Sequence, residues 1–115
     1  MFQAPPPTLT EKRHTILFLQ PSAKNPESRT WADYDSMSQC LEGICKIYEE
    51  HLKRAHPDRP SITYNVDNLF DFIKSMGNIC CLEFDPNHQM YMPRNAQWIQ
   101  EHIYLQLRLQ ADQSR

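Results

Sequence analysis

The chain has 115 residues, of which 40% are hydrophobic and 23% charged, and its formal net charge at pH 7 is −2. This size and balance predict one soluble globular domain, and the slightly acidic charge argues against binding of DNA or RNA through phosphates. Because no apolar run approaches the ~20 residues of a membrane-spanning helix and no signal-peptide pattern begins the chain, we predict a protein that is neither membrane-bound nor secreted.

The first thirteen residues are rich in proline and offer little for a core to bury. The run Pro5 to Pro7 favours an extended polyproline conformation. We therefore predict a disordered arm over residues 1–13, a folded domain over residues 14–111 and a frayed tail over residues 112–115.

The first predicted strand, HTILFLQ over residues 14–20, is apolar on both of its faces. Side chains alternate along a strand, so Ile16 and Phe18 point to one face while Leu17 and Leu19 point to the other. A strand in a small antiparallel sheet normally has one apolar and one solvated face. A chain of this length easily supplies one cover, so we predict that another molecule covers the second face.

The remainder of the chain carries alternating helix and strand signals. Strands are predicted over residues 14–20, 29–34, 79–84 and 89–93, and helices over residues 37–54, 66–76 and 96–110. This order predicts an α+β fold, with a four-stranded antiparallel sheet and three helices on one face of it.

Capping residues and glycines mark the predicted helices. Ser36 is followed three residues later by Gln39, the spacing of a capping box, and Asn65 is a good N-cap for the next helix. Gly77 follows that helix where a glycine commonly ends one. Gly43 inside the first helix costs about 1 kcal/mol relative to alanine, and a close backbone contact there would account for it.

No group of side chains has the pattern of a catalytic, cofactor-binding or metal site. The chain has only 2 glycines, too few for a glycine-rich phosphate loop. Neither Cys40 with Cys45 nor Cys80 with Cys81 has the two-residue gap of a zinc knuckle, so we interpret all four as reduced, buried small hydrophobes. We predict no enzymatic activity, no cofactor and no metal.

Two single positions are candidate sites. Thr30 is followed by Asp33, the spacing read by a kinase that recognises an acid three residues downstream, although such short patterns also arise by chance. Phe72 lies off the apolar stripe of Leu69, Phe70 and Ile73, so it is a candidate anchor for a partner protein. The alternative for Phe72 is an aromatic side chain at the edge of the core.

Several long blocks, taken in order, resemble the enhancer of rudimentary homolog family. The blocks are HTILFLQP, RTWADY, CLEGICKIYEEHLKR, SITYNVDNLFDFI, YMPRNAQWI and HIY, and they cover nearly everything from His14 to Ala111. The resemblance implies the same α+β fold, used as a homodimer whose two sheets face one another. It places Ile16 and Phe18 at dimer-facing positions.

The same resemblance implies a function. Family members act as adaptors without catalytic activity, mostly in the nucleus and with the cytoplasm as a further location, in gene expression and RNA processing including small-RNA pathways. Grooves of the dimer would hold short segments of larger RNA-binding or RNA-processing proteins. The proline-rich arm, Trp31 in place of the usual tyrosine and the Cys80–Cys81 pair depart from the family pattern. Two alternatives are a regulator that binds nucleic acid directly and a small ligand-binding or metabolic protein.

Overall fold

The structure is a computed structural model that describes residues 11–113, with side chains described up to Ala111. Most of the predicted N-terminal arm and the last two residues of the predicted tail lie outside this part of the chain. The strands are β1 (Thr15–Gln20), β2 (Thr30–Tyr34), β3 (Asn78–Asp85) and β4 (Met90–Arg94), and the helices are α1 (Met37–Ala55), α2 (Val66–Ser75) and α3 (Ala96–Gln113).

The four strands form one antiparallel sheet in the order β2-β1-β3-β4. This confirms the predicted α+β class with its four-stranded sheet and three helices. The β1–β2 and β3–β4 pairs join neighbours in sequence, whereas the central β1–β3 pair brings Leu17 opposite Cys81. The two edges are β2 and β4, and β4 carries Pro93, a residue that sheets tolerate at an edge.

The core lies between the sheet and the helices. Alternate residues of β1 and β3 form the sheet side of the core. Apolar side chains that recur every three or four residues along the helices form its helical side. The buried apolar members are Leu17, Leu19, Met37, Cys40, Leu41, Ile44, Tyr48, Leu69, Ile73, Ile79, Cys81, Ile99 and Ile103.

The helix starts follow the capping predictions, with one difference. The Ser36 hydroxyl accepts a hydrogen bond from the Gln39 N–H at 3.2 Å. The Gln39 side chain, however, accepts from the N–H of Asp35 rather than that of Ser36, so the predicted capping box is only half formed. A complete reciprocal box lies at α2, between Asn65 and Asn68.

Both glycines relieve a steric conflict, but neither does so as predicted. A Cβ at Gly43 would collide with the ring of Tyr34, so the close contact is with a side chain. Gly77 directly follows Met76, the C-cap of α2, as predicted, but it does not adopt the left-handed conformation usual for such a glycine, since the described glycines have no positive φ. A Cβ at Gly77 would lie 2.5 Å from backbone atoms of Ala23, which excludes larger residues.

The last helix is longer than predicted. It continues to Gln113 instead of ending at residue 110, and so enters the segment predicted to fray. Alanine and glutamine are good helix formers, and residues 111–113 contain neither proline nor glycine.

Candidate functional site

One face of the sheet is apolar and carries none of the helices described. The side chains pointing away from the helices include the half-buried Ile16, Phe18, Cys80, Leu82 and Phe84 of the two central strands. We call this surface, together with the edge-strand residues Trp31, Asp33, Tyr91 and Pro93, the open face. Its central strands alternate buried and half-buried residues, which is the pattern of a strand with two apolar faces.

Aromatic rings pack across neighbouring strands of the open face. The ring centroids of Phe18 and Trp31 are 4.5 Å apart, and those of Phe84 and Tyr91 are 5.2 Å apart. Such cross-strand pairs hold the rings in place. Trp31 is nevertheless 61% exposed. Exposed apolar side chains grouped in this way are typical of protein-interaction surfaces.

One end of the open face is polar. His14 stands between the two edges of the sheet, with Nε2 3.2 Å from Asp33 Oδ1 and Nδ1 2.7 Å from the Tyr91 hydroxyl. An apolar centre with a polar rim is the usual arrangement of a protein interface.

A second surface is a groove on the helical side of the same sheet, between α1 and α2. Its volume is about 870 Å³. Its apolar wall contains Tyr34, Ile47 and Phe72, while the rim carries charged side chains that include Lys46 and Arg54. We call this surface the α1–α2 groove.

The predicted site residues fall on these two surfaces. Ile16 and Phe18 lie on the open face, while Leu17 and Leu19 are buried beneath the helices. Phe72 is half-buried in the α1–α2 groove, where its ring lies 4.8 Å from that of Tyr48. Whether Ile16 and Phe18 contact a second copy, and whether Phe72 contacts a partner, stay predictions.

The candidate phosphorylation site lies on an edge strand. Thr30 is exposed at the start of β2, next to Trp31 of the open face, and its hydroxyl donates to the Ser28 carbonyl at 3.3 Å. A phosphate there would add about −1.5 to −2 charges beside the open face. Phosphorylation of Thr30 stays a prediction.

Most of the open face was not identified from the sequence. Leu82, Phe84 and Tyr91 join Ile16 and Phe18 only because β3 pairs with β1 and β4 pairs with β3. The alternation in β3 was a usable signal, since Cys80, Leu82 and Phe84 share one side of a strand. Whether these three side chains lie beside Ile16 and Phe18 depends on the register in which β3 pairs with β1, and this register cannot be read from the sequence.

A buried ion pair was also missed. Glu83 lies on the helical side of β3, 1% exposed, and its Oε1 accepts from Arg94 Nη2 at 3.1 Å. The Arg94 guanidinium lies 4.9 Å from the centre of the Trp98 ring. The other carboxylate oxygen, Oε2, is buried with no hydrogen-bond partner among the described residues. The pair therefore connects β3, β4 and α3 at the β4 edge of the sheet.

The cysteines are free thiols in two environments. Cys40 and Cys81 are fully buried with their sulfurs 3.4 Å apart, as the interpretation of small hydrophobes predicted. The hydrogen bond with Cys40, followed by burial, raises the pKa of Cys81 far above its usual value. Cys45 and Cys80 are only partly buried, so for these two the interpretation holds less well.

Cys45 should react slowly with alkylating reagents. Burial, with smaller contributions from Glu49 and Glu42, raises the pKa of its thiol to about 11. Because the thiolate is the nucleophile, we expect alkylation of Cys45 by iodoacetamide at pH 8 to be ~100-fold slower than in the urea-unfolded chain. Peptide mapping by mass spectrometry measures this rate, and equal rates in the folded and unfolded chain would contradict the prediction.

Within residues 11–113, no three His, Cys, Asp or Glu side chains are grouped so that they could hold a metal ion. A search of the same part of the chain finds no helix with the length and apolar character needed to cross a bilayer.

Comparison with known proteins identifies relatives along nearly the whole described chain. A family model described as "Enhancer of rudimentary" matches residues 11–113. The "Enhancer of rudimentary homolog" of Echinococcus multilocularis is 53% identical over 100 residues, which are 87% of this chain and 98% of that protein. The "Protein enhancer of rudimentary" of Drosophila virilis is 53% identical over 95 residues (83% and 90%). The Caenorhabditis elegans homolog is 46% identical over 91 residues (79% and 87%).

Proposed function

The chain belongs to the enhancer of rudimentary family, and from this we propose that it is a homodimeric adaptor without enzymatic activity. The proposed adaptor binds short segments of RNA-processing or RNA-binding proteins. In this way it supports complexes for gene expression and for RNA processing, including small-RNA processing. We propose the nucleus as its main location, with the cytoplasm as a further one.

The observation that carries the proposal is the open face. Its apolar residues span all four strands, from Trp31 on β2 to Tyr91 on β4. Two such faces placed together would bury the exposed rings of both copies, and a stable interface needs about 800 Å² per partner. A second copy is the proposed cover because the face is apolar across all four strands, with its polar pair, His14 and Asp33, at one end.

The α1–α2 groove supports the binding of peptide segments. It lies on the helical side of the sheet, so a dimer closed by the open faces leaves it accessible. Its wall offers the Phe72 ring and the Tyr34 hydroxyl, which makes no hydrogen bond with any of the described residues. An apolar anchor beside a free hydroxyl suits an extended segment that buries one side chain and hydrogen-bonds through its backbone.

Affinity purification with matched variants tests the adaptor proposal. We expect the tagged chain, expressed in its own cells, to retain RNA-processing or RNA-binding proteins. Phe72→Ala and the exposed Lys46→Glu should each lose most of them, since both residues line the groove. Lys74→Glu, on the same helix as Phe72 but outside the groove lining, is the control and should retain them.

Two results would contradict this proposal. One is the absence of such proteins from the wild-type purification after quantitative mass spectrometry. The other is unchanged retention by both groove variants, which would move the binding site elsewhere. Circular dichroism of Phe72→Ala checks that the fold persists, and Lys46→Glu changes only an exposed side chain.

A further inference from the structure

Helix α3 carries apolar side chains on two of its sides. Ile99 and Ile103 face the core and are 0% and 1% exposed. A second row runs along the outer side of the same helix, where Leu105 and Leu109 are 42% and 36% exposed. We call this row the outer seam. Its members are the exposed Leu105 and Leu109 and the half-buried Trp98 and His102, of which Trp98 also packs against the edge of the core.

The spacing of the outer seam fits a second helix. Its members are separated by four, three and four residues, which is the repeat by which one helix packs along another. The first half of the seam is already ordered. The rings of Trp98 and His102 stack at a centroid distance of 3.7 Å, and His102 Nδ1 lies 2.8 Å from the Trp98 carbonyl oxygen.

Two opposite charges flank the seam on one side. Glu101 and Arg108 are exposed and lie seven residues, or two helical turns, apart. The Arg108 guanidinium lies 5.8 Å from the centre of the Tyr104 ring. Among the described side chains, no carboxylate is within ion-pair distance of Arg108 and no cation is within that distance of Glu101. The Glu101 carboxylate accepts a hydrogen bond from Gln97 Nε2 at 3.2 Å, so each charged group has a polar or aromatic neighbour on α3 but no ion-pair partner among the described side chains.

We propose that the outer seam pairs in antiparallel orientation with the outer seam of a second copy of this chain. In that pairing Leu105 packs against His102 of the second copy, and Trp98 packs against Leu109 of the second copy. The flanking positions then bring Glu101 beside Arg108 of the second copy, and the two-fold axis repeats the ion pair.

This contact is separate from the open face and adds to it. A chain with two different self-complementary surfaces links dimers into larger assemblies. The seam spans only about three helical turns, so it buries less than the ~800 Å² per partner of a stable interface. We therefore expect a weak association that depends on concentration and is reduced by salt.

Sedimentation equilibrium of the full chain, from about 10 µM to about 500 µM, tests the pairing in a range suited to weak association. The wild-type mass should rise with concentration above that of the base species. Glu101→Arg alone and Arg108→Glu alone should each weaken the association at least ~tenfold, because each places like charges together twice. The double variant Glu101→Arg/Arg108→Glu should restore it, and Lys74→Glu is the control.

The same series in an Ile16→Arg/Phe18→Arg background separates this proposal from the proposed dimer. In that background the mass of the smallest species tests the open face. The outer seam is tested by loss of the concentration-dependent association in each single charge reversal and by its return in the double reversal. A wild-type mass independent of concentration would overturn the seam pairing, as would single reversals that associate like wild type. Binding of an amphipathic helical peptide to the seam without self-association would equally overturn it.

Discussion

Replacement of both Ile16 and Phe18 by arginine should convert the proposed dimer into a monomer. Both side chains lie on the open face, so the change would place two unpaired charges from each copy in the apolar interface. A charge buried without a partner costs on the order of 3 kcal/mol or more, and the dimer dissociation constant should rise more than ~100-fold. Static light scattering should then give the 13.6 kDa chain mass instead of twice that value.

Leu107→Arg is the matched control for this experiment. It also replaces an apolar side chain by arginine, but on an exposed part of α3 that is not on the open face. We expect this variant to remain a dimer with an unchanged far-ultraviolet circular dichroism spectrum. A stable dimer in the double arginine variant would show that the open face is not the interface.

Arg94→Leu should be among the most destabilising single substitutions in the chain. It removes the partner of Glu83, a residue that is 1% exposed and already has one carboxylate oxygen without a hydrogen bond among the described residues. An isolated carboxylate in the core is costly, and the cation–π contact with Trp98 is lost as well. We expect the free energy of unfolding to fall by about 3 kcal/mol, measured by urea denaturation.

A paired substitution distinguishes the buried charge from the loss of arginine packing. Glu83→Leu/Arg94→Leu removes both charges, so its loss of stability should be about 1 kcal/mol, well below that of Arg94→Leu. Arg59→Leu, at an exposed turn, should leave stability within about 0.5 kcal/mol of wild type. Equal destabilisation by the single and double substitutions would mean that the ion pair is not the cause.

The local features of this fold could be read from the sequence. Alternation in HTILFLQ placed Ile16 and Phe18 on one side of β1, and Ser36 capped α1 as predicted. These predictions worked because side-chain alternation and capping depend on neighbours within a few residues. The same reasoning placed the boundaries of the strands within one residue.

The long-range features could not be read in this way. The β1–β3 pairing joins segments about sixty residues apart, and only that register brings Leu82 beside Ile16. Glu83 sits in an otherwise apolar run, and its partner Arg94 comes from the next strand. The steric reason for Gly77, its contact with Ala23, also comes from a residue distant in sequence. Each of these depends on tertiary contacts rather than on local propensity.

The open face and the α1–α2 groove lie on opposite sides of a single sheet, and this separation has a consequence for binding strength. A dimer joined through its open faces would display two identical grooves at a fixed spacing. A partner assembly with two copies of the bound segment would engage the second groove at a high effective concentration. The resulting avidity can exceed the affinity of one groove by ~10²–10⁴-fold, so weak individual segments would suffice for stable recruitment.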